Sequence, residues 1–240
     1  MWDKEAFDKM ILPDKDKEIL IALVSQQQKP DMSKKEGLFI LLFGAPGVGK
    51  TATVRAIAEV MKVPLRIFHP SNMGKGGAET SGKLYTFFET AQRWNAIAVL
   101  DDAGVFFGQR THSDLERNTM VALLLSSLER YTGTLFLTSH PVSAFDEALK
   151  SRIWLSLHFP GLTKEARKQV WKNHINSLGG GGGEDELLDR LNELAQYELN
   201  GRQIGSVFLN AKQLVRYRGT SLSWEDVEYA IEEHQISKAI

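Results

Sequence analysis

Five short apolar runs punctuate the first two thirds of the chain: Leu38–Phe43, Leu65–Phe68, Ala96–Leu100, Thr134–Thr138 and Trp154–Phe159. Each has strand length, and the first is apolar at every position, as a strand buried on both faces should be. Between them the period changes to that of helices. Thr53–Met61 places Val54, Ile57, Ala58 and Met61 on one face, and Ser81–Trp94 and Asn118–Tyr131 read the same way. Strands alternating with helices predict a parallel sheet with helices on both faces and right-handed crossovers. Upstream, Ala6, Phe7, Met10 and Ile11 cluster, and Ile19, Leu20, Leu23 and Val24 recur at helical spacing, so short helices are expected before a polar link over Pro30–Gly37. After Pro160-Gly161 the strand signal stops. Thr163 is placed to cap a helix through Ile175; Gly179–Gly183 is a run of glycines that reads as a loop of variable length; and Glu186–Tyr197, Gln203–Arg218 and Ser223–Gln235 read as helices. Ser223-Trp-Glu-Asp226 resembles a capping box with Asp in place of Glu. The organisation expected is a helical segment over 1–35, an α/β core over 36–160, and an all-helical unit of about four helices over 161–240.

The first strand runs into Gly44-Ala45-Pro46-Gly47-Val48-Gly49-Lys50-Thr51, which fits G-x-x-x-x-G-K-[ST], the phosphate-binding loop. The spacing describes a mechanism. The glycines let the main chain wrap with its N–H groups turned inward, Lys50 reaches the β- and γ-phosphates, and the Thr51 hydroxyl can ligate Mg²⁺. The helix that starts there, with Ala52 in its first turn, adds the positive end of its dipole. The strand Ala96–Leu100 ends in Asp101-Asp102. In an open parallel sheet ligands sit beyond the carboxyl ends of strands, so these acids share an edge with the loop. Asp101 is the candidate to hold Mg²⁺, and Asp102 the candidate to polarise an attacking water.

Composition narrows this further. A formal net charge of −1 gives no electrostatic reason to expect nucleic acid or an anionic membrane, and the absence of cysteine excludes disulfides, cysteine-ligated zinc and a thiol nucleophile. No apolar run approaches the length of a membrane span, and Met1-Trp2-Asp3-Lys4-Glu5 is too polar for a signal peptide, so the expectation is a soluble intracellular protein, in cytoplasm or nucleus. The histidines (69, 112, 140, 158, 174 and 234) lack metal-ligand spacing, the tryptophans (2, 94, 154, 171 and 224) are scattered as core residues are, and no G-x-S-x-G is present.

These motifs together resemble an AAA+ ATPase module, and more narrowly the AAA+ domain at the C-terminal end of many large filamentous-fungal proteins. Residues 44–51 match its phosphate loop (Walker A). Val99-Leu-Asp-Asp-Ala-Gly-Val-Phe-Phe107 resembles the Walker B strand, and Asp114-Leu-Glu-Arg-Asn118 the start of the helix after it. Leu128–Ser139 resembles the strand carrying sensor 1, Phe145–Ile153 the arginine-finger segment, and Tyr197–Ile204 the sensor 2 start of a lid helix. The resemblance implies a P-loop NTPase fold, a three-layer αβα parallel sheet of five strands followed by a small all-helical lid. It implies ATP and Mg²⁺ as ligands, with nucleotide binding by Gly44, Ala45, Pro46, Gly47, Val48, Gly49, Lys50, Thr51, Ala52 and Arg202, and metal binding by Thr51 and Asp101. It implies hydrolysis by Lys50, Asp102, His140 and Arg152, with Arg152 acting in trans within a homo-oligomer, a hexamer being the candidate ring, on a protein substrate or adaptor the chain does not specify.

The chain departs from this pattern at three positions. The second Walker B acid is Asp102 where the family has Glu, which withdraws the carboxylate by about 1.5 Å, one C–C bond. The sensor 1 position holds His140 instead of Asn, and Pro141 stands where Arg often follows. All three fall near the γ-phosphate while the phosphate loop is intact. Slowed hydrolysis is therefore expected, with a hydrolysis-impaired assembly switch as the alternative. The loop Ser71–Gly77, where AAA+ rings often place a pore loop, carries only Met73 in place of an aromatic and reads as a surface loop.

Overall fold

In the computed structural model, residues 6–29, 36–69, 71, 77–106, 115–140, 147–178 and 182–239 are described. They divide into two compact units: Met1–Ala45 with Lys50–Phe159, and Pro46–Gly49 with Pro160–Ile240.

The first unit is built on five parallel strands, β1 (Leu38–Gly44), β2 (Leu65–Phe68), β3 (Ile97–Leu100), β4 (Thr134–Ser139) and β5 (Leu155–Phe159), in the order β2-β3-β4-β1-β5. The apolar runs matched strands nearly to the residue: the central strands β1, β3 and β4 are buried almost throughout, and β2 and β5 are only partly buried. One face carries Phe39, Leu41, Ala98, Leu100, Leu135 and Leu137. These pack on Leu84, Phe87 and Phe88 of α3 (Gly77–Arg93) and on Val121, Leu124 and Leu128 of α4 (Leu115–Leu128). The alternate residues Ile40, Leu42, Ile97, Val99 and Phe136 are equally buried on the other face. There α1 (Asp14–Gln28) and α2 (Lys50–Met61) lie against β1 and β4, burying Leu20, Val24, Val54, Ile57 and Ala58. Helices thus cover both faces, as the alternation of elements predicts.

Of the helices that differ from the expected ranges, two do so for a packing reason. α3 begins at Gly77, four residues before Ser81, because Thr80 is buried one turn before Leu84 and extends the inward stripe. α4 ends at Leu128, so Tyr131 leaves the helix. Its ring lies near those of Phe39 and Phe88, and its hydroxyl donates to the Thr134 carbonyl at 3.2 Å. A short helix, α5 (Glu147–Lys150), precedes β5.

The second unit is helical, with α6 (Lys164–Asn176), α7 (Glu184–Asp189), α8 (Leu191–Leu194), α9 (Gly201–Arg218) and α10 (Trp224–Ala239). Its core gathers Trp171, Ile175, Leu187, Leu194, Ile204, Val207, Phe208, Val227 and Ile231. Thr163 caps α6 by accepting from the Ala166 N–H at 3.2 Å. The Ser223/Asp226 pair also forms: Asp226 Oδ2 accepts from the Ser223 hydroxyl at 2.8 Å and from its N–H at 3.2 Å. The helix expected over Glu186–Tyr197 is broken in two at Arg190 (φ −95°, ψ 15°), which gives five helices where about four were expected. Trp171 and Trp224 are core residues as expected, whereas Trp94 and Trp154 are exposed.

Candidate nucleotide site

The parallel register brings the C-terminal ends of β1, β3 and β4 to one edge of the sheet. Leu100 lies beside Leu137, and Phe43 beside Ser139, so Gly44, Asp101 and Thr138 emerge together. Gly44 must be glycine. It sits at φ +151°, and a Cβ there would run into the carbonyl oxygen of Phe159 on β5. Gly49, at φ +105°, has open space around its Cβ position, so the backbone alone asks for glycine. Gly47, at φ +73°, has the Asn200 side chain where its Cβ would be, and its carbonyl accepts from the Gly201 N–H at 2.8 Å. Asn200 is itself held in a capping box with Gln203 at the start of α9.

Lys50 opens α2 and is nearly buried; its Nζ donates to the carbonyls of Gly44 at 2.8 Å and Ala45 at 2.7 Å. The ammonium therefore lies inside the loop. One residue on, the Thr51 hydroxyl donates to Asp101 Oδ1 at 2.6 Å. A hydroxyl and a carboxylate in direct contact are the hard-oxygen pair that suits Mg²⁺, which completes its shell with water and phosphate oxygens. Among the described residues no group of three or more His, Asp or Glu could hold a metal alone.

Asp102 follows in a left-handed conformation at φ +57°, a region that Asp tolerates better than Glu because a short polar side chain can bond locally there. Its carboxylate projects outward, with Oδ1 3.6 Å from His140 Nε2. On the other side, His69 Nδ1 lies 3.6 Å from Asp101 Oδ2. Thr138, buried at the end of β4, donates to Asp101 Oδ1 at 2.6 Å and accepts from the Asp102 N–H at 2.9 Å.

Lys50, Thr51, Asp101, Asp102 and His140 thus share one edge of the first unit. Arg152 does not join them. Trp154, two residues on, donates from its N–H to the Phe39 carbonyl, so Arg152 lies by the N-terminal end of β1, about 16 Å of strand away from Gly44. There it pairs with Glu129 at 2.9 Å. Arg202 is exposed in the first turn of α9, within the second unit. Pro141, Asp114, His112, Trp2, residues 72–76 of the expected surface loop and Gly179–Gly181 lie outside the described residues. The sequence reading passed over Thr138, His69 and Glu129. The only signal for Thr138 was a hydroxyl near an end of β4, which Thr134 and Ser139 offer as well.

A five-stranded parallel sheet in this order, a phosphate loop after its first strand and an acid at the end of its third define a P-loop NTPase fold, here with a helical lid. The family model of the ATPases associated with various cellular activities (AAA) matches residues 40–160, and the chain belongs to that family. It is 23% identical over 209 residues to a putative 26S proteasome regulatory subunit homolog of Methanothermobacter thermautotrophicus, covering 82% of this chain and 55% of the relative. It is 27% identical over 149 residues to Fidgetin-like protein 1 of Drosophila melanogaster, covering 58% of this chain and 28% of the relative. With the ATPase family gene 2 protein of Schizosaccharomyces pombe it shares 33% over 119 residues, 46% of this chain and 15% of the relative. The chain therefore spans about half of the first relative and less of the others. No helix among the described residues is long and apolar enough to cross a membrane.

Proposed function

We propose that this chain binds ATP with Mg²⁺ and hydrolyses it slowly, as one subunit of a homo-oligomeric, hexameric ring. The observation that carries the reading is the Lys50 ammonium seated among the loop carbonyls, one residue from a Thr51 hydroxyl bonded to Asp101 at 2.6 Å. With a nucleotide bound, Lys50 would exchange those carbonyls for β- and γ-phosphate oxygens, and Thr51 and Asp101 would hold the metal. Bound Mg²⁺ supplies neutralisation of phosphate charge. Asp102 orients a water whose oxygen bonds to the γ-phosphorus as the bond from phosphorus to the ADP oxygen breaks, the water's proton passing to the Asp102 carboxylate and on to solvent, with His140 3.6 Å from that carboxylate. Arg202 contacts phosphate from the lid.

Arg152 completes the site of a neighbouring subunit. Its place near the opposite edge of the sheet, about 16 Å of strand from its own loop, supports action in trans. The work is done on another protein inside the cell, taken directly or through an adaptor, in line with the proteasome-regulatory name of one relative. A second reading, a nucleotide-dependent assembly switch with negligible turnover, is favoured by the short reach of Asp102 and by the Arg152–Glu129 pair. Turnover per subunit separates the two. Under the enzyme reading it rises with protein concentration as rings form and falls about 10³-fold or more in Arg152→Ala. Turnover independent of concentration and unchanged in Arg152→Ala contradicts the trans arrangement.

A further inference from the structure

We infer that Thr138 is a positioning residue for both carboxylates of the site, acting through them on magnesium-dependent nucleotide binding; the inference rests on the nucleotide reading above. The Thr138 hydroxyl has a fixed direction. Its oxygen accepts from the Asp102 N–H at 2.9 Å, and an N–H can only donate. Its proton therefore goes to Asp101 Oδ1, at 2.6 Å. That same oxygen takes the Thr51 hydroxyl at 2.6 Å, so Asp101 Oδ1 sits between a hydroxyl from α2 and one from β4. Thr138 is 2% exposed, so its own hydroxyl is shielded from solvent.

The consequence is specific to these two acids. Asp101 and Asp102 leave β3 in a turn, and Asp102 holds a left-handed conformation. Asp101 is also held by the Thr51 hydroxyl and, through its N–H, by the Phe68 carbonyl at 2.9 Å, but it is Thr138 whose side chain reaches both acids. Thr138 anchors both to β4, beside β3 in the sheet and two residues before His140. One side chain thus sets Oδ1 of Asp101, the backbone of Asp102 and, through the strand, the place of His140. A hydroxyl that orients a ligating carboxylate commonly governs metal affinity.

The test uses Thr138→Val, which keeps the branched shape and removes the hydroxyl, with Thr138→Ser as the rescue. ATP affinity is measured by calorimetry on the full chain, once in chelator and once in excess Mg²⁺. The expected result is that Thr138→Val binds within about twofold of wild type in chelator but loses about tenfold or more of the gain in affinity that Mg²⁺ confers, and that Thr138→Ser restores that gain. If Thr138→Val does not fold, Thr138→Ala removes the hydroxyl without adding a methyl group, and the same expectation applies. A hydroxyl-free variant with the full magnesium gain, or one weakened equally in both buffers, overturns the inference. So does a wild type whose affinity ignores magnesium, which leaves nucleotide binding itself intact. A wild type that binds no ATP in either buffer overturns the nucleotide reading and this inference with it.

Discussion

Replacing Asp102 by Glu restores the family's usual acid, and the structure predicts two opposed effects. Asp102 sits at φ +57°. In that region an L-residue with a longer side chain costs about 1–2 kcal/mol, a cost that Asp can avoid by bonding locally. For a chain of this size each kcal/mol moves the melting temperature by about 2–4 °C, so Asp102→Glu should melt about 2–8 °C lower. The carboxylate meanwhile advances by about 1.5 Å toward the water that the proposed mechanism has it orient. Since a misplacement near 1 Å can cost on the order of 10²-fold in rate, turnover should rise by up to that factor if reach limits hydrolysis. Asp102→Asn is the control: it keeps the backbone tolerance and removes the charge, so it should melt within about 1 °C of wild type and turn over more slowly. Scanning calorimetry and phosphate release at saturating ATP read the two effects separately. A Glu variant that melts with the wild type refutes the backbone argument, and one that turns over at the wild-type rate refutes the argument from reach.

Other consequences follow from single contacts. Gly44→Ala drives a methyl group into the Phe159 carbonyl, whereas at Gly49 the same position is open; Gly44→Ala should therefore lose about 2 kcal/mol or more and melt below Gly49→Ala, as measured by thermal unfolding. His174 packs against Phe208, and burial, followed by the nearby Lys212 charge, holds its pKa below the ordinary imidazole value. Folding then favours the neutral ring, so stability is complete above about pH 6.5 and declines as pH falls toward the lowered folded value. Melting temperatures taken from about pH 7.5 down to about pH 5 should fall more steeply in wild type than in His174→Gln.

The fold was legible in the sequence wherever burial was two-sided. β1 and β4 are read to within a residue because every position of their apolar runs but the partly buried Phe43 is inside. The phosphate loop was legible because glycine, lysine and threonine at fixed spacing leave few other structures for the chain to make, and the Asp101-Asp102 pair because it ends such a strand. What escaped was set by tertiary contact. Tyr131 carries on the apolar rhythm of α4, yet leaves the helix to lie near the rings of Phe39 and Phe88. The Asn200 capping box was present as Asn-x-x-Gln at the start of a helical run and could have been found by spacing. The Thr138 bonds could not, because nothing local distinguishes a hydroxyl that ties two acids from one that fills a strand. Nor could the pairing of Arg152 with Glu129, which lies 23 residues away along the chain.

The claim beneath all of this is that the loop over Gly44–Thr51 grips a nucleoside polyphosphate through its amides and the Lys50 ammonium. Titration calorimetry of the wild-type chain and of Lys50→Ala, each with Mg²⁺ and ATP or ADP, tests it most directly. The account predicts saturable binding of both nucleotides by wild type and none by Lys50→Ala at the same concentrations, with both proteins folded by circular dichroism. A Lys50→Ala chain that binds as wild type does, or a folded wild type that gives no heat with either nucleotide, contradicts it.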